Sequence, residues 1–157
     1  MNLRHETSFT VYPVDANSMF PMIFGGAFFS YLDKAAAVAV KRLLHDSPSC
    51  QTAVTHKFEG TYLKPCYVGD LIFIEAEIIS LGKKSVVVQT KAFREKAPSK
   101  CDSAKVATRE LVADATFVFV TVEHDEDVGG RPESLPYHLH GLPALPDKSQ
   151  WNTKSDW

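Results

Sequence analysis

A long, almost uninterrupted apolar segment is the feature that most constrains how this chain can fold. From Gly26 to about His45 there is almost no turn residue, and apolar side chains recur at the spacing of a helical face. The pattern predicts one helix of about five turns. Its first half, AFFSYLDKAAAVAV, is apolar nearly all round, which indicates burial on most sides. The helix is expected to end just before Pro48, because a proline disfavours helical geometry in the residue that precedes it.

One carboxylate, Asp33, interrupts this apolar helix. Phe29 lies one turn before it on the same face and Ala37 one turn after it, and neither can pair with a charge. Lys34 points about 100° away around the helix axis, so it is a poor partner within the chain. Because an unpaired buried carboxylate is costly, Asp33 is expected at a solvent-open end, at an interface or in a functional site. The alternative is an ordinary salt bridge on an exposed stripe.

The rest of the patterned sequence reads as β-strands. A short extended stretch before the helix, Ser8 to Val14, predicts an edge strand that Pro13 ends. Four segments rich in β-branched and aromatic residues follow the helix, and turn residues separate them. These predicted strands are Thr52 to Leu63, Leu71 to Ser80, Ser85 to Phe93, and Ala107 to Val122. The second and third are expected to form a hairpin. Helix and sheet are thus segregated along the chain, as in α+β folds.

The length and the change in composition near the C-terminus predict one domain and a tail. A chain of 157 residues is the size of a single domain with one core. We assign this domain to residues 1–123. From residue 124 to 157 the apolar periodicity is lost and Pro, Gly and His increase, which predicts a C-terminal tail. Either covering of a neighbouring subunit or a mobile segment is compatible with this composition.

Charge and cysteine content argue against several classes of function. A formal net charge of -2 gives no general attraction to nucleic acid. The start, MNLRHETSFTVYP, lacks the layout of a signal peptide, and no apolar run approaches the roughly 20 residues of a membrane span. We therefore expect a cytoplasmic protein. Cys50, Cys66 and Cys101 are widely spaced, which predicts reduced thiols. His138 and His140 lack further ligands nearby, so we expect no metal site.

A glycine pair precedes the helix in the segment Phe24-Gly25-Gly26. Backbone N–H groups at a helix N-terminus point outward, where the helix dipole is positive. Gly25 and Gly26 could therefore offer N–H groups to an oxyanion or to a polarised carbonyl oxygen. The alternative is a tight turn into the helix without chemical significance.

Phe24-Gly25-Gly26 followed seven residues later by Asp33 resembles the hotdog-fold thioesterases, particularly their acyl-CoA hydrolase branch. The resemblance extends from about Val11 to Val122. The further segments that carry it are Val54-Thr55, Tyr62-Leu63-Lys64-Pro65, Val68-Gly69-Asp70, Gly82-Lys83-Lys84-Ser85 and Ala115 to Val120. It implies a long central helix wrapped by a five- to six-stranded antiparallel sheet.

The resemblance also implies an activity and an assembly. The expected reaction is hydrolysis of an acyl-CoA to a free acid and CoA, with Asp33 as base or nucleophile and with N–H groups near Gly25 and Gly26 polarising the thioester carbonyl. CoA is then part of the substrate, and no separate cofactor is expected. The implied assembly is a homodimer with active sites at the subunit interface, and a tetramer or hexamer is the larger alternative. A basic rim for the CoA phosphates is expected from Lys83, Lys84, Ser85, Arg94 and Arg131.

One departure from the family pattern leaves other functions open. Many relatives carry a polar Asn or Asp three residues before the first glycine of the pair, where this chain has Met22, and Asn17 is the candidate replacement. If Met22 marks lost chemistry, the protein would be a non-catalytic module that binds acyl thioesters. A β-hydroxyacyl thioester dehydratase would need a His directly before Phe20-Pro21, where this chain has Met19.

Overall fold

A computed structural model describes residues 3–45, 51–96 and 107–123 of the chain. The predicted tail, 124–157, lies outside the described residues. The elements are β1 (Arg4–Thr10), a short 3₁₀ helix (Pro13–Asp15), α1 (Gly25–His45), β2 (Gln51–Tyr62), β3 (Leu71–Leu81), β4 (Ser85–Lys96) and β5 (Thr108–Glu123).

The five strands form one antiparallel sheet in the order β1-β3-β4-β5-β2. The predicted hairpin is β3 and β4, which pair from Leu71 opposite Glu95 to Leu81 opposite Val86. The helix α1 packs along one face of this sheet. The prediction of an α+β fold, with a long helix against a five- to six-stranded antiparallel sheet, is confirmed, and the described residues contribute five strands. At the two edges of the sheet lie β1 and β2.

The core lies between α1 and the face of the sheet that α1 covers. The helix buries eight side chains there, which are Phe28, Leu32, Ala35, Ala36, Ala39, Val40, Leu43 and Leu44. Alternate residues of β3, among them Ile72, Ile74 and Ile78, meet them from the sheet. Within the described ranges, no helix combines the length and hydropathy needed to cross a membrane.

The predicted position of the first strand is wrong by four residues. The strand covers Arg4–Thr10 rather than Ser8 to Val14, and its last pair joins Thr10 to Leu71. Beyond it, the backbone of Val11 bonds to Asp70 and Gly69 at the end of a turn. Pro13 then opens the 3₁₀ helix, because its fixed φ suits the first position of a helical turn. The prediction of an edge strand is confirmed.

A β-bulge interrupts β2 in the middle. Thr55 pairs with Phe119 and Lys57 with Val118, so His56 has no partner in β5. An extra residue reverses the alternation of side chains along the rest of the strand. As a result Thr55 and Phe58, three positions apart, both face α1.

Candidate active site

The Asp33 carboxylate lies where α1 crosses the bulged part of β2. The Thr55 hydroxyl donates a hydrogen bond of 2.8 Å to Oδ1 of Asp33. Asp33 is half-buried and Thr55 is exposed, so the pair is open to solvent on one side. Within the described parts of the chain, no donor bonds to Oδ2 of Asp33. The carboxylate is thus held by one oxygen, and the other oxygen can accept a proton or attack a carbon atom.

The first turn of α1 presents its N–H groups about ten ångströms from Asp33. The helix begins at Gly25, and its first backbone bond runs from the N–H of Phe28 to the carbonyl of Phe24, at 3.0 Å. No acceptor for the N–H groups of Gly25, Gly26 or Ala27 is found among the residues that the structure describes. Unpaired N–H groups at a helix start suit a developing negative charge. Asp33 follows Gly26 by seven positions, which is a rise of about 10 Å along the axis.

Tyr62, at the end of β2, is bonded to this helix start. Its hydroxyl donates to the carbonyl oxygen of Gly25 at 2.6 Å, and its ring stacks on Phe28 at a centroid distance of 5.5 Å. Burial raises the pKa of the Tyr62 hydroxyl above its ordinary value, which favours the neutral, donating form. The carbonyl of Gly25 is therefore fixed from the sheet.

The loop before the helix folds back on itself as a small hairpin. The N–H of Phe24 donates to the carbonyl of Asp15 at 2.8 Å, and the N–H of Asn17 donates to the carbonyl of Met22 at 2.7 Å. The side-chain oxygen of Asn17 accepts from the N–H of Met19 at 2.9 Å. Asn17 and Met22 are thus neighbours across this hairpin. Asn17 turns its carbonyl oxygen toward the loop, and the amide nitrogen is the part of its side chain that could serve a ligand.

Three of the residues predicted to bind CoA lie level with the Asp33–Thr55 pair. Thr55 is opposite Phe119, and Phe119 is opposite Val86, the residue that follows Ser85. Two strand spacings separate Thr55 from Val86, or about 10 Å. Lys83 and Lys84 are exposed in the turn just beyond. Arg131 lies outside the described residues.

Arg94 lies at the other end of β4. Nine residues of strand separate it from Ser85, which is about 30 Å. Its guanidinium bonds to Glu110 at 2.7 Å and to the carbonyl of Pro65 at 2.9 Å, and it lies 3.4 Å from Asp70. The structure therefore does not bring Arg94 together with the lysines in one chain. Their nearness in the sequence does not make them neighbours in the fold, because Arg94 and the lysines lie at opposite ends of the extended strand β4.

A groove of about 340 Å³ lies along the C-terminal half of α1 and begins at Ala37, one helical turn after Asp33. Its walls are mostly apolar, with Ala37, Val40 and Leu44 from the helix and Ala53 and Phe119 from the sheet. In the other direction the ring of Phe29 lies 4.5 Å from Phe58. Of the aromatic residues near Asp33, Phe28 belongs to the core, with 2% of its surface exposed.

Sequence reasoning missed Thr55 and Tyr62 as parts of the site. Both lie in segments that carry the family resemblance, but no local pattern assigns either residue a role. Thr55 reaches Asp33 because of the bulge. Tyr62 reaches Gly25 because of the way in which α1 packs on the end of β2. Neither feature has a local sequence pattern.

A long helix laid across an antiparallel sheet, five-stranded in the described residues, is the hotdog arrangement, and solved proteins with this fold that are similar to the chain are thioesterases. The chain belongs to the thioesterase superfamily, whose family model matches residues 20–101. It is 30% identical over 125 residues to an acyl-CoA thioester hydrolase of Salmonella typhimurium, an alignment that covers 79% of this chain and 84% of that protein.

Solved structures agree with this assignment. A hexameric thioesterase from Yersinia pestis is 26% identical, with a TM-score of 0.61 and coverage of 83% of this chain and 93% of the other. A hexameric broad-specificity acyl-coenzyme A thioesterase, studied with an aspartate replaced by alanine, is also 26% identical. Its TM-score is 0.63, and the match covers 83% of this chain and 84% of that one. This chain is therefore similar to enzymes that hydrolyse thioesters.

Proposed function

We propose that this protein hydrolyses acyl-CoA thioesters to a free acid and CoA, with Asp33 as the catalytic carboxylate. The observation that carries the proposal is the Asp33 carboxylate, held by Thr55 at 2.8 Å and half-buried one helical turn before a groove, in a member of the thioesterase superfamily. A carboxylate fixed through one oxygen is oriented for proton transfer through the other. The names of the acyl-CoA hydrolases to which the chain is similar support CoA as the thiol of the substrate.

The chemistry needs two groups acting on one carbonyl. Asp33 takes a proton from water as the water oxygen bonds to the thioester carbon, or it attacks that carbon directly and water hydrolyses the resulting anhydride. The carbonyl oxygen gains negative charge, which the N–H groups of Gly25 and Gly26 stabilise. The C–S bond then breaks, and the leaving thiolate accepts a proton. This scheme uses no cofactor besides the CoA of the substrate.

Two copies of the chain are expected to supply these groups. The N–H of Gly26 and the carboxylate of Asp33 are about 10 Å apart along one helix, whereas both must come within about 3 Å of a single reacting ester group. A second copy with its helix alongside would bring its own Asp33 to the first copy's glycine pair. We therefore place the site at a homodimer interface, with Asp33 from the partner.

The exposed edge of β2 is the surface that we expect to join the two copies. β2 is an edge strand, and apolar side chains remain uncovered along it, with Val54 47% exposed, Phe58 57% and Tyr62 51%. An exposed apolar edge of this length favours pairing with another strand. The hexameric state of the similar thioesterases is consistent with such dimers as building units.

The groove and the nearby turn suggest how a substrate lies. The acyl chain would occupy the apolar groove past Ala37, and the CoA phosphates would reach Lys83, Lys84 and Ser85 in the turn between β3 and β4. Arg131 keeps its predicted phosphate role only as a sequence-based expectation. Asn17 is retained as a polar group beside the helix start.

The test is release of free thiol from a panel of acyl-CoAs, short, long and aromatic, by the parent and by Asp33→Asn. We expect turnover in the parent and a loss of about a hundredfold or more in kcat for Asp33→Asn, because the isosteric amide cannot take a proton. Glu59→Gln is the matched control. It removes an exposed carboxylate from β2, the strand that carries Thr55, and full activity is expected.

Two other outcomes would contradict the assignment of Asp33 or the hydrolase activity itself. If Glu59→Gln loses turnover and Asp33→Asn keeps it, the catalytic carboxylate has been assigned to the wrong residue. If the parent binds acyl-CoA without turning it over, the protein is the non-catalytic binding module, and Met22 is the departure that accounts for it.

A further inference from the structure

The segment that follows β2 holds the loop that leads into the helix. We call residues 63–70 the strap and residues 15–24 the pre-helix loop. The carbonyl of Cys66 accepts a bond from the N–H of Ile23 at 2.8 Å, and the N–H of Val68 donates to the carbonyl of Pro21 at 2.9 Å. The strap is thus hydrogen-bonded to the pre-helix loop on both sides of Met22.

The contacts that the strap makes with the pre-helix loop also set the direction of the first helical N–H groups. Phe24 closes the loop through its N–H to Asp15 and opens the helix through its carbonyl to Phe28. A shift of the loop at Ile23 would therefore move Gly25 and Gly26 directly, since only Phe24 stands between them. Displacements of about 1 Å at a catalytic donor are enough to reduce rates by as much as a hundredfold.

Arg94 fastens the strap to the sheet. From β4, one terminal nitrogen donates to the carbonyl of Pro65 at 2.9 Å and lies 3.4 Å from the Asp70 carboxylate. The other terminal nitrogen pairs with Glu110 of β5 at 2.7 Å. The same Asp70 oxygen accepts the N–H of Tyr67 at 2.8 Å. The Arg94 guanidinium therefore links Pro65 and Asp70 of the strap to β4 and β5.

Among the described residues, the charged groups that contact Arg94 are the carboxylates of Asp70 and Glu110. Lys64 also pairs with Glu110. The Arg94 side chain is only 15% exposed. A phosphate would have to displace both carboxylates to reach it. The planar guanidinium is suited to this forked arrangement, which a lysine ammonium cannot reproduce.

We propose that Arg94 is a positioning residue for thioester hydrolysis, which holds the strap and through it the pre-helix loop that aims the N–H groups of Gly25 and Gly26. This role replaces the phosphate contact expected for Arg94 from the sequence. The inference rests on the proposed function, because those N–H groups matter only if they stabilise a carbonyl oxygen.

The test compares two substrates that share an acyl group, an acyl-CoA and the matching acyl-N-acetylcysteamine thioester, which has no phosphate. For Arg94→Met we expect kcat to fall between about tenfold and a hundredfold on both substrates, with KM changed less than about threefold. Arg94→Lys should retain more of kcat than Arg94→Met, since an ammonium keeps the charge but cannot make all the contacts of the planar guanidinium. A rise of KM for acyl-CoA alone would show a phosphate ligand and overturn the proposal.

A second measurement separates this inference from the proposed function. Amide hydrogen exchange in peptides covering residues 15–24 and 63–70 should accelerate in Arg94→Met, measured well below its unfolding temperature. Arg4→Met is the matched control, because Arg4 pairs with Glu77 at 3.1 Å, away from the strap. Exchange in the same two peptides and the kinetics of Arg4→Met should match those of the parent. Absence of turnover in the parent would overturn the proposed function and, with it, the catalytic part of the inference, while faster exchange in Arg94→Met would still show that Arg94 holds the strap. Unchanged exchange in Arg94→Met would overturn the inference about Arg94.

Discussion

Thr55 illustrates how one inserted residue creates a functional contact. Without the bulge at His56, the alternation of β2 would turn either Thr55 or Phe58 away from α1. With it, the Thr55 hydroxyl reaches Asp33 while Phe58 contacts Phe29. Bulges that re-aim a side chain are frequent beside active sites. The bulge therefore gives the site an oriented carboxylate without disturbing the packing of the strand.

Replacing Thr55 with Val tests this contact. The hydrogen bond at 2.8 Å is lost while the shape of the side chain is kept, so Asp33 becomes free to rotate. We expect kcat to fall by about tenfold, the scale of one hydrogen bond that orients a charged group. Thr55→Ser should retain most of the activity. Thr61→Val, on the same strand, is the control. Equal kcat in Thr55→Val and the parent would show that the hydroxyl does not orient Asp33.

Cys66 should be chemically inert in the folded protein. It is 1% exposed, and burial raises the pKa of its thiol to about 11 from an ordinary value of 9.0. At pH 8 about one thiol in a thousand is then ionised, and access is blocked as well. In a Cys50→Ser, Cys101→Ser background, a disulfide reagent should react within minutes only after urea is added. Prompt reaction of the native protein would contradict this burial.

The sign of the pH effect follows from the same raised pKa. The unfolded thiol ionises near pH 9 and the folded one near 11, so ionisation favours the unfolded state. Stability from this group is fully present below pH 9 and is lost as the pH rises from 9 toward 11. In that background, the urea midpoint should fall over this range, and it should fall less in a Cys66→Ala derivative.

At the scale of secondary structure, the sequence predicted the long helix, the β3–β4 hairpin and the order of elements. These features depend on local periodicity and turn residues, which a single sequence displays. The first strand was misplaced because Pro13 fits the end of a strand as well as the start of a 3₁₀ turn. The bulge, the strap and the contacts of Arg94 depend on register between distant segments, which periodicity does not encode.

The pairing of β2 with β5 depends on a close approach at Gly60. A Cβ at this position would lie 2.6 Å from the Cβ of Ala115 and 3.2 Å from its Cα. Gly60→Ala should therefore destabilise the protein by about 1–3 kcal/mol, the usual cost of overpacking, measured by urea unfolding. Adding Ala115→Gly should restore part of the loss. Additive losses in the double variant would mean that the two sites are not in contact.

At the scale of the whole molecule, the two edges of the sheet should behave differently. Val54→Asp places a like charge on each copy where two β2 strands would meet, and like charges across a strand pair repel. We expect a smaller assembly by light scattering and reduced turnover, because the proposed site needs both copies. Ser8→Asp on the opposite edge should leave mass and activity unchanged. A fully active monomeric Val54→Asp protein would place the whole site within one chain.

The separation of seven positions between Gly26 and Asp33 has a consequence for mixtures of defective chains. If each copy gives its N–H groups to one site and its carboxylate to the other, an Asp33→Asn chain and an Arg94→Met chain carry complementary lesions. A mixed dimer then contains one intact site and one doubly damaged site. Random pairing after co-refolding would restore about a quarter of parental turnover from two nearly inactive proteins.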